Sequence, residues 1–216
     1  MTPRLSRRSL LLAAAAAGIC ALPVAQAQPA PGRDYRVVDP ALPTDSGDRI
    51  EVLEFFWYGC VHCFNLEPAL EVWSAKLGAD VALRRVPAVF NDRWAHDATI
   101  FYALEAIGAA ERAHRALFEA IHVKRLNTTN ERLFTEWLKS QGIDDAAFGE
   151  AFRSFGVSSR VLRAVQLTAA YRVEGTPSLA VGGRYAVSAD QAATGGAMLA
   201  TAGHLIDLVR RSRPAR

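Results

Sequence analysis

The chain has almost no cysteine: three residues in 216, at positions 20, 60 and 63. It also has little excess charge, with 25 basic against 22 acidic side chains. It has no internal repeat and no low-complexity tract. Each absence excludes something. So few cysteines cannot staple a small scaffold, which needs bridges between distant segments to constrain its unfolded chain. Near-balanced charge removes nucleic acid and anionic membranes from the expected partners. A chain of this length without repeats is expected to build one core, with room for a sizeable insertion.

The N-terminus is read first because it is expected to be removed. Arg4, Arg7 and Arg8 precede an uncharged apolar run from Leu10 to Val24, and Ala25-Gln26-Ala27 follows with small residues at the cleavage positions. This is the pattern of a secretory signal peptide spanning residues 1–27, with an apolar stretch short for a membrane span. The adjacent arginines fit either export route. Ile19, directly before Cys20, is not the small residue that a lipidated cysteine requires. Cleavage after Ala27 takes three arginines and no acid with it, so the formal charge of +3 belongs to the leader. The expected mature chain, residues 28–216, is electrically balanced and keeps only Cys60 and Cys63.

Those two sit in "EFFWYGCVHCFNLEP", residues 54–68, at the end of a hydrophobic run. Ile50 to Tyr58 is rich in Ile, Val and Phe and reads as a strand. From Cys60 the spacing turns helical, through Phe64, Leu66, Leu70, Val72, Trp73 and Leu77. Cys60 is therefore expected at a helix N-terminus, where unpaired backbone N–H groups and the helix dipole favour a thiolate. Cys63 lies one turn on, on the same face and within reach of a disulfide. His62 between them can add a hydrogen bond or positive charge to the Cys60 thiolate. A stabilised thiolate stabilises the reduced form, and so makes the disulfide an oxidant. The spacing predicts Cys60 as the exposed reacting sulfur and Cys63 as the buried resolving one. Metal binding is the competing reading, yet Cys60, Cys63 and His62 supply at most three ligands with no second cysteine pair to close the site. No metal and no cofactor is expected.

Glu54 stands inside the same strand, sharing a face with Val52, Phe56 and Tyr58 while Leu53, Phe55 and Trp57 take the other. Both faces are apolar, as in a central strand covered on each side. A buried carboxylate is costly without a task or a partner, and burial raises its pKa. Glu54 is expected to exchange a proton with Cys63 as the bridge opens and closes. The alternative is that it pairs with a lysine or arginine, or reaches the surface.

Further along, Tyr35 to Val38 reads as a short edge strand and Val81 to Val86 as a second strand parallel to the first. From about Ala95 to Tyr171 nearly everything reads as helix. Thr128 and Glu131 form a capping-box pattern before Leu133, with Gly142 as the C-terminal cap. Asp144 starts another helix, closed near Phe155 and Gly156, and Ser158 opens the next. Asn127-Thr128-Thr129 matches a glycosylation acceptor but reads better as capping sequence. Ser178 to Val181, Gly182-Gly183 and Arg184 to Val187 form a hairpin, and a final helix spans about Gly196 to Arg211. His96, His114, His122 and His204 show no metal spacing and read as surface or cap histidines. Trp73, Trp94 and Trp137 sit at core spacing. Trp57 and Tyr58 suit core packing or a substrate surface equally.

Glu54-Phe-Phe, Cys60-Val61-His62-Cys63 and, much later, Val173-Glu174-Gly175-Thr176-Pro177-Ser178 before the Gly182-Gly183 hairpin resemble the DsbA family of periplasmic thiol:disulfide oxidoreductases. The resemblance spans the mature chain. It implies an α/β thioredoxin fold with an inserted all-helical subdomain, at about residues 92–160 by the cap signals. It implies a cis Thr176-Pro177 bond beside the sulfurs, with Val61, Thr176 and Pro177 meeting the substrate. Such a proline leaves a backbone edge free to pair with an extended peptide. It further implies a periplasmic monomer that oxidises reduced exported proteins and is reoxidised by a quinone-linked membrane oxidase of the DsbB type. Two positions depart from the family pattern: Val61 stands where proline is usual, and Thr176 where many members carry valine. Pro68 matches a helix-kinking proline of thioredoxins. The alternatives are an exported reductase or isomerase, and a thiol module for a soft metal such as Cu(I). The short stretch between the cleavage site and the first strong strand leaves no room for the dimerisation domain of an isomerase.

Overall fold

The structure is a computed structural model and describes residues 28–213. The expected signal peptide, with Cys20, lies outside the described residues. Five strands form one mixed sheet: β1 (Arg36–Val37), β2 (Ile50–Phe56), β3 (Val81–Pro87), β4 (Ser178–Val181) and β5 (Tyr185–Ser188), in the order β1-β5-β4-β2-β3. Helix α1 (Val61–Ser74) connects β2 to β3, which run parallel, whereas β4 pairs antiparallel with β2. Between β3 and β4 come α2 (Asp92–Ala106), α3 (Ala110–His122), α4 (Glu131–Ser140), α5 (Asp145–Phe152) and α6 (Phe155–Ala170). Helix α7 (Gly195–Ser212) follows β5.

Seven consecutive buried residues in β2 explain its central place. Ile50 and Val52 pack with Leu66 and Leu70 of α1 and with Met198, Leu205 and Val209 of α7. Leu53 and Phe55 belong to a larger apolar cluster that continues into α2, α3 and α6. The helical block and the sheet thus share one core. Phe56 departs from the expected alternation. At the strand's end its ring meets Phe101 of α2 at 5.2 Å and Phe118 of α3 at 6.0 Å, because the block closes over that corner.

The hairpin between β4 and β5 turns at Gly182 and Gly183, with φ of +59° and +71°. Two positive φ values in succession are what a tight hairpin turn of the right-handed twist demands. At Gly183 a Cβ would also fall 2.1 Å from the Leu42 carbonyl oxygen.

Two cap assignments are corrected. Asn130, not Thr128, caps α4: its side chain accepts from the Leu133 amide at 3.1 Å. The Thr128 hydroxyl is engaged elsewhere, donating to buried Asp97 at 2.7 Å. Likewise Ser154, not Ser158, caps α6 through the Val157 amide, so Phe155 and Gly156 open that helix rather than close α5.

Candidate active site

At the end of β2 the chain leaves the sheet through Trp57, Tyr58 and Gly59 and enters α1 with Cys60 as N-cap. The Cys60 amide donates to the Trp57 carbonyl at 2.9 Å, closing the turn. The sulfur of Cys60 then accepts from the Cys63 amide at 3.4 Å, as a capping oxygen would. Gly59 is required here: a Cβ would lie 2.3 Å from the Trp57 ring. That ring stacks on Trp94 of α2 at 4.3 Å, and its indole N–H donates to Asp97 at 2.8 Å. The turn bearing the cysteine is thereby fastened to the helical block. Trp57 is half-buried and Tyr58 fully buried, so Tyr58 is core.

Both cysteines are free thiols, Cys60 half-buried and Cys63 buried. Their environments drive them apart. A hydrogen bond from the Cys63 thiol, joined by one from the Thr176 side chain and by the backbone amides of Cys63 and His62, outweighs burial and pulls Cys60 down to about 5. Burial, then the neighbouring Cys60, pushes Cys63 well above the ordinary thiol range. Only Cys60 is a thiolate at neutral pH. Its thiol form donates to the Thr176 carbonyl at 3.2 Å, and Thr176-Pro177 is cis. The second motif, more than a hundred residues away in sequence, is thus laid against the first.

His62 contributes to Cys60 through its backbone amide. Its ring is exposed and makes no hydrogen bond among the described residues. His62, Thr176 and Pro177 line a groove of about 580 Å³, and Val61, 48% exposed, stands beside it.

Glu54 is wholly buried. Parallel pairing of β2 with β3 places Arg85 directly opposite, with its Nε 3.2 Å from a Glu54 carboxyl oxygen. The contact is misaligned for a hydrogen bond, and both oxygens of Glu54 lack a hydrogen-bond partner. Burial, followed by the negative charge of Glu67, raises Glu54 to about 8. Arg85 instead donates from Nη2 to Glu67 at 3.1 Å. The other oxygen of Glu67 meets His114 Nε2 at 3.0 Å, and His114 Nδ1 meets the Tyr58 hydroxyl at 3.0 Å. Burial opposes ionisation of Glu67, but His114 and Arg85 prevail and hold it below the usual value. Glu54 therefore has an arginine neighbour, yet it keeps a proton at neutral pH.

Four residues at this site lie outside the sequence-based expectation: Glu67, Arg85, His114 and His122. His114, read as a surface or cap histidine, is 4% exposed. His122 was read the same way; it bonds the Tyr58 carbonyl at 2.9 Å and stacks on Phe64. The missed signals are two: Arg84-Arg85 in an otherwise apolar strand, and Glu67 four residues after Cys63 on its buried helix face. No group of three or more His, Cys, Asp or Glu side chains among the described residues is arranged to hold a metal ion.

A family model described as a DSBA-like thioredoxin domain matches residues 69–200. The chain is 42% identical over 180 residues to the thiol:disulfide interchange protein DsbA of Bordetella pertussis, covering 82% of this chain and 85% of that one. It is 39% identical over 184 residues to the protein of the same name from Azotobacter vinelandii, covering 84% and 85%. Among solved structures, Pseudomonas aeruginosa DsbA superposes with a TM-score of 0.80 at 34% identity, over 84% of this chain and 94% of that one.

Proposed function

Because the chain belongs to the DsbA family of thiol:disulfide interchange proteins, we propose that Cys60 and Cys63 are its reactive pair and Glu54 their proton partner. The protein is a thiol:disulfide oxidoreductase of thioredoxin fold. The observation that carries the site assignment is the asymmetry of the pair, one half-exposed low-pKa sulfur beside one buried high-pKa sulfur.

In the donating direction a substrate thiolate attacks Cys60 Sγ, the Cys60–Cys63 bond breaks, and Cys63 leaves as thiolate. Cys63 cannot stay charged where it is buried, so it takes the proton of Glu54. A second substrate thiolate then attacks the substrate sulfur of the mixed disulfide. The substrate gains its bond, and Cys60 leaves as the stabilised thiolate. The two electrons lost by the substrate thiols reside in the reduced pair. Thr176 and Pro177 present backbone beside Cys60 for an extended peptide, with Val61 and the His62 ring on its other side.

The substrates are reduced exported proteins. The protein acts in the periplasm as a monomer after losing residues 1–27, and a quinone-linked membrane oxidase of the DsbB type restores its disulfide. Family membership supports this setting.

Glu54→Gln tests the proton assignment. The variant keeps shape but neither donates nor accepts the Cys63 proton, and general acid–base steps are worth about a hundredfold or more. Stopped-flow oxidation of a dithiol peptide, followed by tryptophan fluorescence, is expected to slow about a hundredfold at pH 7 and to keep only the pH dependence of the substrate thiol's own ionisation. Unchanged kinetics from pH 5 to 8 would remove Glu54 from the mechanism.

A further inference from the structure

Glu54 holds a proton at neutral pH, which suits it to protonate the departing Cys63 thiolate. The return half of the cycle asks for the opposite. When the disulfide is re-formed, Cys63 must lose its proton, and a protonated Glu54 cannot accept it. Ionising Glu54 in place would leave two carboxylates, Glu54 and Glu67, on the single guanidinium of Arg85 in a buried site. That net negative charge is costly away from water. A second basic group in contact with the cluster removes the difficulty, and His114 is that group.

We propose that Glu54 and His114 are alternative seats of one buried proton, passed by way of Glu67, so that His114 holds it while Glu54 acts as base toward Cys63. The inference rests on the role assigned to Glu54 above. With the proton on Glu54, the charges are Glu67 negative and Arg85 positive. With it on His114, two carboxylates face two cations. The cluster is neutral either way, so the transfer moves a proton without creating buried net charge. Glu54 then takes the Cys63 proton, and the Cys63 thiolate attacks Cys60 Sγ. The partner's thiolate is expelled as the Cys60–Cys63 bond forms. The extra proton leaves His114 for solvent, and the donating direction runs these steps backward.

The geometry suits the exchange. Glu54 and Glu67 are held by the same Arg85 side chain, and Glu67 reaches His114 with its other oxygen. The Tyr58 hydroxyl can donate to or accept from His114 Nδ1, so it satisfies either tautomer and frees Nε2 for the Glu67 side. Phe56, Phe101 and Phe118 surround the ring and fix its position. His114 and Arg85 also line a cleft of about 440 Å³ between β3, α2, α3 and α6, which gives the ring a route to water. The charges around His114 are accounted for. Glu67 and Glu71 of α1 favour its cation and Arg85 of β3 opposes it, with burial the largest effect and keeping it neutral at rest. Across the cleft Glu105 of α2 and Arg160 of α6 neutralise each other, and Arg84 of β3 is paired with Glu51. Arg163 of α6 faces Asp45, while Glu111 lies on His114's own helix.

The test is the pH profile of ring closure in His114→Gln, with His114→Asn as the second neutral variant. Reduced protein is mixed with saturating oxidised glutathione, and the first-order release of the second glutathione, the Cys63 step, is followed from pH 5.5 to 10. Since His114 is neutral at rest, either replacement leaves the resting charge unaltered. The expected result is a loss of at least tenfold at pH 7 that shrinks as pH rises and vanishes once Glu54 ionises unaided. A profile that superimposes on the wild type, or is lowered equally at every pH, overturns the relay. If Glu54→Gln still flattens the profile, the role of Glu54 survives that failure. If Glu54→Gln leaves the profile unchanged, the role of Glu54 falls and the relay with it.

Discussion

Cys63→Ser protein mixed with a disulfide-bearing peptide is expected to accumulate a stable mixed disulfide through Cys60, and Cys60→Ser protein to form none. Both substitutions should reduce catalysed oxidation to the uncatalysed background, so the covalent adduct is what separates their roles. The prediction follows from position. Cys60 caps a helix with its sulfur half-exposed, while Cys63 lies wholly buried beneath. The thiolate is the nucleophile, so adduct formation in Cys63→Ser should fall as pH drops through the Cys60 transition, which lies at about 5 in the unaltered protein. The variant lacks the Cys63 thiol that helps hold Cys60 down, so its own transition should sit above that value. Mass spectrometry of quenched mixtures reads the adduct. An adduct in Cys60→Ser and none in Cys63→Ser would exchange the two assignments.

Arg85→Met is the substitution with the largest expected effect on stability. Methionine retains much of the aliphatic stem but leaves Glu54 and Glu67 buried without their shared cation. Removing one partner of a buried ion pair costs about 3–5 kcal/mol. The cost should depend on pH with a definite sign. In the variant both carboxyls are pushed up in the folded state. The unfolded chain, with ordinary carboxyls, then releases protons that the folded chain keeps, and stability falls as pH rises above about 4.5. Urea unfolding of the disulfide form, which excludes the titration of Cys60, is expected to show a small loss at pH 4 and the full loss near pH 8. An equal loss at both pH values would mean that Arg85 contributes packing rather than charge.

The parts of this site written in local sequence were readable from it. The apolar run of β2, the change of period at Cys60 and the two cysteines one turn apart place the sulfurs at a helix N-terminus with no tertiary information. Glu54 was conspicuous for a similar reason, because a carboxylate among Leu53, Phe55 and Phe56 breaks a pattern. Its surroundings were not readable. Arg85 reaches it through the parallel register of β2 with β3, and His114 reaches Glu67 through the crossing of α3 over α1. Neither relation has a local signature. The cap errors have the same origin. Thr128 and Asn130 are both competent caps, and tertiary structure decided between them by giving the Thr128 hydroxyl to Asp97. Phe155 read as the apolar end of a helix, yet it opens one and is 87% exposed.

The stabilised thiolate also has a direct thermodynamic consequence. A thiol whose pKa is depressed by folding stabilises the reduced folded state above the ordinary cysteine pKa, and that stability is lost as pH falls through about 5. The disulfide form has no such group, so at neutral pH the balance favours reduction of the enzyme and oxidation of its substrate. Val61, one of the two departures from the family's usual residues, stands beside the same sulfur and is the position able to offset this, whereas the Thr176 side chain adds to the hold on the thiolate. Equilibration of the purified protein in graded glutathione buffers, with Cys60→Ser as control, measures the outcome in one quantity. The predicted reduction potential lies well above the roughly −270 mV of thioredoxin. A potential at or below that value would contradict disulfide donation and make this chain a reductase.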